Sequence, residues 1–308
     1  MVDHKLDDEY NDENFSYDEL NPLGSGSYGR VFSAKTNSFE QLVAIKRFAA
    51  DVEKHEIEQE VKSTRLICKG KHPNIIECLG MYKNTVYNYH CIIFSKMNMS
   101  LYDYLKGNEK IGQATVKSIL FQILQGLAYI HSLNLVHCDL KPGNVLIDCK
   151  DDKVTSVKII DFGLSRPIAR YDKWLNICTS MYRPPEICLR TCVCATSIDM
   201  WSFGCIFVEM FKGERLFSTQ EKSNYEHLVD MFIMFGTPSQ DTCFELTSLS
   251  GWDSSSFTKY KRKPWKEILS INDEDAIDLL EKIFQLEPSS RISAAEALKH
   301  KFFNDCHK

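Results

Sequence analysis

The sequence predicts an α+β chain of two lobes, a small β-rich one before residue 97 and a larger, mostly helical one after it. Three observations carry that reading. Short β-type runs at 17–23, 30–35, 42–46, 75–76 and 90–94 crowd the first hundred residues around a single helical stretch, 53–67. Residues 97–100 then break regular structure, and Leu101 opens a region dominated by helical periodicity. At 308 residues the chain is about twice a typical single domain, so one large or two smaller cores are expected,.

Residues 1–16 read as an acidic, mobile tail, 17–96 as the first lobe, 97–304 as the second and 305–308 as a closing tail. The first twenty residues carry eight acidic side chains against one lysine and no apolar run, so neither a signal peptide nor a membrane anchor is expected there,. A hydrophobic content of 44% with 26% charged residues is that of an ordinary globular protein,. The net charge of −5 leaves no electrostatic footprint for nucleic acid,. The one basic run, 259–263, is short enough to be a solvated loop. Twelve cysteines without zinc-finger spacing read as reduced thiols of a cytosolic or nuclear protein,. Cys188, Cys192 and Cys194 could begin a metal site, yet no paired Cys or His set lies near them in sequence.

The polar groups centre on His137-Cys138-Asp139-Leu140-Lys141-Pro142-Gly143-Asn144, a turn between helix-type sequence (116–132) and the apolar strand Val145-Leu146-Ile147. Asp139 can accept a proton from an attacking hydroxyl, Lys141 can neutralise a transferring phosphoryl group, and Asn144 can offer an amide oxygen to a metal. Taken alone, the octapeptide also fits a plain polar turn. Upstream, Leu23-Gly24-Ser25-Gly26-Ser27-Tyr28-Gly29-Arg30-Val31 is a glycine hairpin whose tip amides can face phosphate oxygens. A dinucleotide-binding loop would need a helix next, and Val31-Phe32 is β-type. Lys46 closes the run Leu42-Val43-Ala44-Ile45, either as a snorkelling surface cation or as one aimed into a cleft. Helical spacing sets Glu60 with Val61, Thr64 and Ile67, where it can pair with Lys46; Glu56, one turn earlier, is the rival. Lys158-Ile159-Ile160-Asp161-Phe162-Gly163 reads as a strand ending on an acid and a glycine turn. Asp161 and Asn144 are candidates for one Mg2+, which takes few protein oxygens beside water and phosphate.

These motifs, with Pro184-Pro185-Glu186, resemble those of the eukaryotic protein kinases in the family's order across residues 17–304. The resemblance implies the bilobal kinase fold and a phosphoryl transfer from ATP. The nucleotide would lie under the glycine loop, Leu23 to Val31, against Ala44 and Leu146, with backbone groups of Ser95 and Met97 on the adenine and Phe94 as a bulky gate. Lys46, held by Glu60, would reach the phosphates, Asn144 and Asp161 would hold Mg2+, and Asp139 with Lys141 would act on the acceptor hydroxyl.

Asp139-Leu140-Lys141-Pro142 is similar to serine/threonine enzymes. Residues 179–186, Gly236-Thr237-Pro238 and 275–300 resemble the CMGC group, which contains cyclin-dependent, MAP, dual-specificity tyrosine-regulated and homeodomain-interacting kinases; the branch stays open. The resemblance implies protein substrates, a proline after the acceptor shaped by Arg183, and partner docking on the insert at 216–264. It also implies scaffold roles for Asp199, under the catalytic loop, and for a buried pair of Glu186 with Arg291. Two other functions compete. A pseudokinase scaffold is opposed by the presence of Lys46, Asp139, Lys141, Asn144 and Asp161; a small-molecule kinase would lack Pro184-Pro185-Glu186, Asp199 and Arg291.

Two departures from the family pattern bear on regulation. Cys138 stands where many kinases have an arginine, and Trp174 and Asn176 stand where the group carries an activating phosphate. The expectation is a segment 161–186 held by packing, with Trp174 and Ile177 as apolar anchors and Tyr171 as the one credible phosphorylation site.

Overall fold

The computed structural model describes residues 15–26, 29–84, 89–108, 110–151, 153–173, 175–217, 222–269 and 272–307. Ser27 and Tyr28 of the glycine loop, Trp174 and most of the acidic tail lie outside the described residues. The chain divides into two compact units, one reaching Asn98 and including Lys158–Gly163, the other holding Met99–Val157 and the chain from Leu164 onward. The sequence places the division at 96/97 and assigns 158–163 to the second lobe; the structure puts that short stretch with the first unit.

The first unit is an antiparallel sheet in the order β1-β2-β3-β5-β4, from strands β1 (Tyr17–Gly26), β2 (Gly29–Thr36), β3 (Val43–Phe48), β4 (Cys78–Asn84) and β5 (Tyr89–Ser95). Side chains alternate across a strand. Val43 and Ile45 of β3 are therefore fully buried on one face, packed with Phe32, Ala34, Cys91 and Ile93, while Ala44 and Lys46 point to the other. Helix α1 (Lys54–Cys68) buries Glu60, Thr64 and Ile67 along one stripe,. Ile75 and Ile76, expected as a strand, are not one. They are apolar because they are buried at 2% exposure, and Ile75 makes only a lone parallel bridge to Ile159. The strand is the less apolar β4, two residues on.

In the second unit β6 (Met99–Ser100) leads into helix α2 (Leu101–Gly107), which Ser100 caps by accepting the Asp103 N–H at 3.1 Å,. Helix α3 (Gln113–Ser132) is followed by β7 (Leu135–Val136), the polar turn, and strands β8 (Val145–Lys150) and β9 (Lys153–Ile159). Two-residue strands β10 (Arg166–Pro167) and β11 (Ala169–Arg170) pair with β7 and with β12 (Val193–Cys194), and the short helix α4 (Pro185–Cys188) lies between. Helix α5 (Ser197–Lys212) is buried on every side from Ile198 to Met210 and forms the axis of the core,. Helices α6 (Asn224–Phe235), α7 (Phe244–Thr247), α8 (Trp265–Leu269), α9 (Glu274–Ile283) and α10 (Ala294–Ala297) follow. Trp201 of α5 meets Phe235 and Phe284 edge-on at 5.5 and 4.9 Å, locking α5 to α6 and to the end of α9,.

All twelve cysteines are free and nine of them are buried. Among the described residues no group of three His, Cys, Asp or Glu could hold a metal ion. The basic run at 259–263 is more than a solvated loop, because Arg262 pairs with Glu281 and donates to the Phe284 carbonyl at 3.2 Å.

Candidate active site

The site residues fall into the two units, each built locally. In the first, alternation on β3 turns the Lys46 ammonium away from the sheet's packed face. It donates to the Glu60 carboxylate and, at 2.9 Å, to Asp161 Oδ1. Glu60 is 2% exposed, which settles the choice against Glu56. Burial raises the Glu60 carboxyl above its ordinary value, and the Lys46 charge pulls it part of the way back. Burial alone would lower Lys46, but Asp161 and Glu60 outweigh it and hold the ammonium above its ordinary value,. Asp161 lies two residues beyond the end of β9, with a left-handed φ of 66° that turns its carboxylate toward Lys46,. A side chain on Gly163 would put its Cβ 3.0 Å from Glu60 Oε2, so the Glu60 carboxylate would have to give way by a few tenths of an ångström.

The glycine hairpin is more regular than the sequence suggests. Gly24, Ser25 and Gly26 belong to β1 and pair with Val31, Arg30 and Gly29. Gly29, at φ 143°, has no space for a side chain, since a Cβ would lie 2.1 Å from the Arg47 carbonyl. Leu23 is exposed, Val31 and Ala44 are half-buried, and Ser95 ends β5 opposite Val43 with Met97 buried just after it. Phe94 pairs with Ala44 across the same ladder.

In the second unit four donors converge on Asp139. Thr179 gives its N–H at 2.9 Å and its hydroxyl at 2.7 Å to Oδ1, Asn144 Nδ2 donates to Oδ2 at 3.0 Å, and Lys141 Nζ lies 2.7 Å from Oδ2. Lys141 also donates to Thr179 Oγ1 at 2.8 Å. The loop is held from below by Asp199, fully buried, whose carboxylate accepts the N–H groups of His137 (2.8 Å) and Cys138 (2.9 Å) and His131 Nε2 (2.9 Å). Burial pushes the Asp199 carboxyl upward, yet the His131 and backbone donors outweigh it and hold it below its ordinary value. Cys138 takes a left-handed φ of 69°, which lets successive N–H groups reach one carboxylate,.

Cys138 belongs to an apolar cluster with Val136, Leu175, Ile177, Cys178, Ile187, Cys194 and Ile198. Its sulfur is 3.7 Å from that of Cys194, and burial pushes its thiol well above the ordinary range. Within this cluster, Cys178 is also left-handed, at φ 69°. Its carbonyl accepts from Arg183 Nε (3.3 Å) and Nη2 (2.8 Å). Helix α6 grips Arg183 at both ends: Nη1 donates to Asn224 Oδ1 at 2.8 Å, and the Arg183 carbonyl lies 3.1 Å from His227 Nε2. A carbonyl only accepts, so His227 carries its proton on Nε2. Sequence reasoning did not single out His131, Asn224 or His227. Each acts across 40 or more residues, and no local spacing announces that.

The donor sets fit a magnesium nucleotide. The Asn144 amide nitrogen donates to Asp139 twice, to its backbone oxygen at 2.8 Å and to its carboxylate, so the amide presents its oxygen elsewhere as a hard ligand,. The Asp161 side chain, 38% exposed, is not sealed from a cation.

A sheet-based first unit, a helical second unit and an Asp-Lys-Asn loop braced by a buried acid define a phosphoryl-transferring enzyme of the bilobal α+β type. The protein kinase domain family matches residues 17–303. The chain is 31% identical to cyclin-dependent kinase B2-1 of Oryza sativa subsp. japonica over 307 residues, which are 95% of this chain and 91% of the relative. The chain belongs to the protein kinase family, as a eukaryotic serine/threonine kinase of CMGC type that uses ATP and Mg2+ to phosphorylate proteins.

Proposed function

We propose that this kinase is proline-directed, phosphorylating Ser or Thr followed by proline, and that the residues described above divide the work as follows. Asp139 orients the acceptor hydroxyl and takes its proton as the oxygen becomes nucleophilic. Lys141 sits against the charge that develops beside that oxygen, and Thr179 holds Asp139 and Lys141 in register. Lys46, fixed by Glu60, steadies the phosphates, and Asn144 and Asp161 supply oxygens for Mg2+. Bound MgATP supplies the phosphoryl group and much of its charge neutralisation. Leu23 to Val31, Ala44, Ser95, Met97 and Leu146 form the nucleotide's surroundings. The insert at 216–264 is proposed to dock a regulatory protein.

One observation carries the proline preference. The Cys178 carbonyl, one residue before Thr179, is turned by a left-handed backbone into two N–H groups of Arg183. With both lone pairs engaged it cannot accept an N–H from the residue after the acceptor. An amide desolvated there without a partner costs about 1–3 kcal/mol, and proline has no N–H to lose.

The test is transfer from radiolabelled ATP to a library of Ser/Thr peptides. Enrichment of proline after the acceptor and a turnover of about 1–100 s⁻¹ on the best peptide are expected. Asp139→Asn keeps the size of the side chain but not its proton-accepting charge, so ATP binding should persist while turnover collapses. Full activity in that variant overturns the assignment of Asp139, and an unenriched library overturns the proline preference.

A further inference from the structure

We infer that Asn224, at the start of α6, is a positioning residue that sets the selectivity of the acceptor pocket through Arg183. The inference rests on the proline-directed reading and adds the group that enforces it.

Arg183 reaches the Cys178 carbonyl with Nε and Nη2, leaving Nη1 to be fixed from the other side. Asn224 Oδ1 is the acceptor that fixes it, at 2.8 Å. Asn224 is itself held, because it follows Ser223 inside a reciprocal cap in which Ser223 Oγ accepts the Glu226 N–H and the Glu226 carboxylate accepts the Ser223 N–H,. Four residues on from that cap's start, the same helix bends back to Arg183: His227, buried and edge-on to Phe217 at 4.9 Å, donates to the Arg183 carbonyl. One helix thus clamps the guanidinium and the backbone of a single residue.

The consequence runs to the reacting groups in short links. Asn224 aims the guanidinium, the guanidinium holds the Cys178 carbonyl, and that carbonyl keeps Cys178 in a left-handed conformation that cysteine does not favour,. Thr179 follows directly and donates twice to Asp139. Without Asn224 the guanidinium keeps a single anchor that can move with it. The Cys178 peptide can then swing back and offer its carbonyl to a substrate N–H, so residues other than proline lose their penalty. The clamp should act on discrimination more than on nucleotide use.

The experiment compares two peptides that differ only in carrying proline or alanine after the acceptor serine, assayed with the full chain as wild type, Asn224→Ala and Asn224→Asp. The expected result is a proline-to-alanine ratio of kcat/KM that falls about tenfold in Asn224→Ala, the size of one hydrogen bond to a charged group read as a rate. Asn224→Asp retains an oxygen for Nη1 and should keep the ratio, and the KM for ATP should not follow it. Asn224 is half-buried at a helix start where alanine is tolerated, and a thermal melt of each variant checks that it is folded,. A wild-type ratio preserved in Asn224→Ala overturns this inference alone. A ratio near one already in the wild type overturns the proline-directed reading and this inference with it.

Discussion

Arg291 and Glu186 lie 105 residues apart and form a two-pronged buried pair, Nη1 to Oε1 at 2.6 Å and Nη2 to Oε2 at 2.8 Å. The remaining donors of the guanidinium are spent on the carbonyls of Gln285 (2.8 Å), Ser197 (3.0 Å) and Leu286 (3.3 Å), and its plane lies over Trp201. Breaking such a pair from one side strands a charge. Arg291→Leu should therefore lose about 3–5 kcal/mol, read as a lowered urea midpoint with an unchanged slope. Arg291→Leu combined with Glu186→Leu removes both charges and should recover much of that loss.

Lys46→Met is expected to abolish transfer and also to weaken the first unit, in a pH-dependent way. Glu60 is buried and already raised by desolvation; without the ammonium nothing offsets it. A carboxyl raised in the folded state favours folding fully below its unfolded value, near 4.5, and loses that contribution as pH rises through the folded value,. Urea midpoints of the variant and wild type should be closest near pH 4.5 and furthest apart at pH 8.

His227 supplies a second pH signature with the opposite slope. Burial lowers it from 6.5 to about 4, against the Arg183 carbonyl and Asp230, which raise it, and with Arg183 and Lys222, which lower it further. The unfolded chain takes up the proton first, so stability is complete above pH 6.5 and falls as pH drops toward 4. At about 1.4 kcal/mol per pH unit the loss approaches 3 kcal/mol, on the order of magnitude. His227→Gln keeps an N–H donor and should flatten the stability profile between those limits.

Much of this site was legible in the sequence because its parts are local. Asp139, Lys141 and Asn144 share one turn, and Lys46 ends a strand whose alternation assigns its face. The choice of Glu60 over Glu56 needed burial, which the helix pattern suggests but cannot rank. Ile75-Ile76 misled because apolarity reports burial and not pairing, while β4, with Gly80 and Lys83 in it, hides its ladder. The left-handed backbones of Cys138, Asp161 and Cys178 were invisible, since none is a glycine. Asn224 and His227 were missed because a clamp between a loop and a helix 40 residues away leaves no periodic trace.

The segment that carries Thr179 is expected to be competent without phosphate. Ile177, 2% exposed, and Leu175 pack with Cys138 where a charged pocket would otherwise be needed, so the geometry around Asp139 is fixed by apolar contact,. Protein made in bacteria and treated with a broad phosphatase should keep its activity. A large loss that rephosphorylation of Tyr171 restores would show that the contact is insufficient. Ile177→Ala should lower kcat several-fold, because a cavity there frees Cys178 and Thr179.

The nine buried thiols give the molecule an internal clock. A thiol reacts as its thiolate and only when reached by reagent, and burial has suppressed both, pushing Cys78, Cys91 and Cys188 up to about 12,. In a mild alkylating reagent Cys149, Cys192 and Cys306 should be labelled at once. Every later label then records an opening event of the surrounding structure. Cys68, Cys78 and Cys91 time the first unit and Cys138, Cys178, Cys188, Cys194, Cys205 and Cys243 the second, so a single labelling course read by mass resolves two breathing rates without any engineered probe.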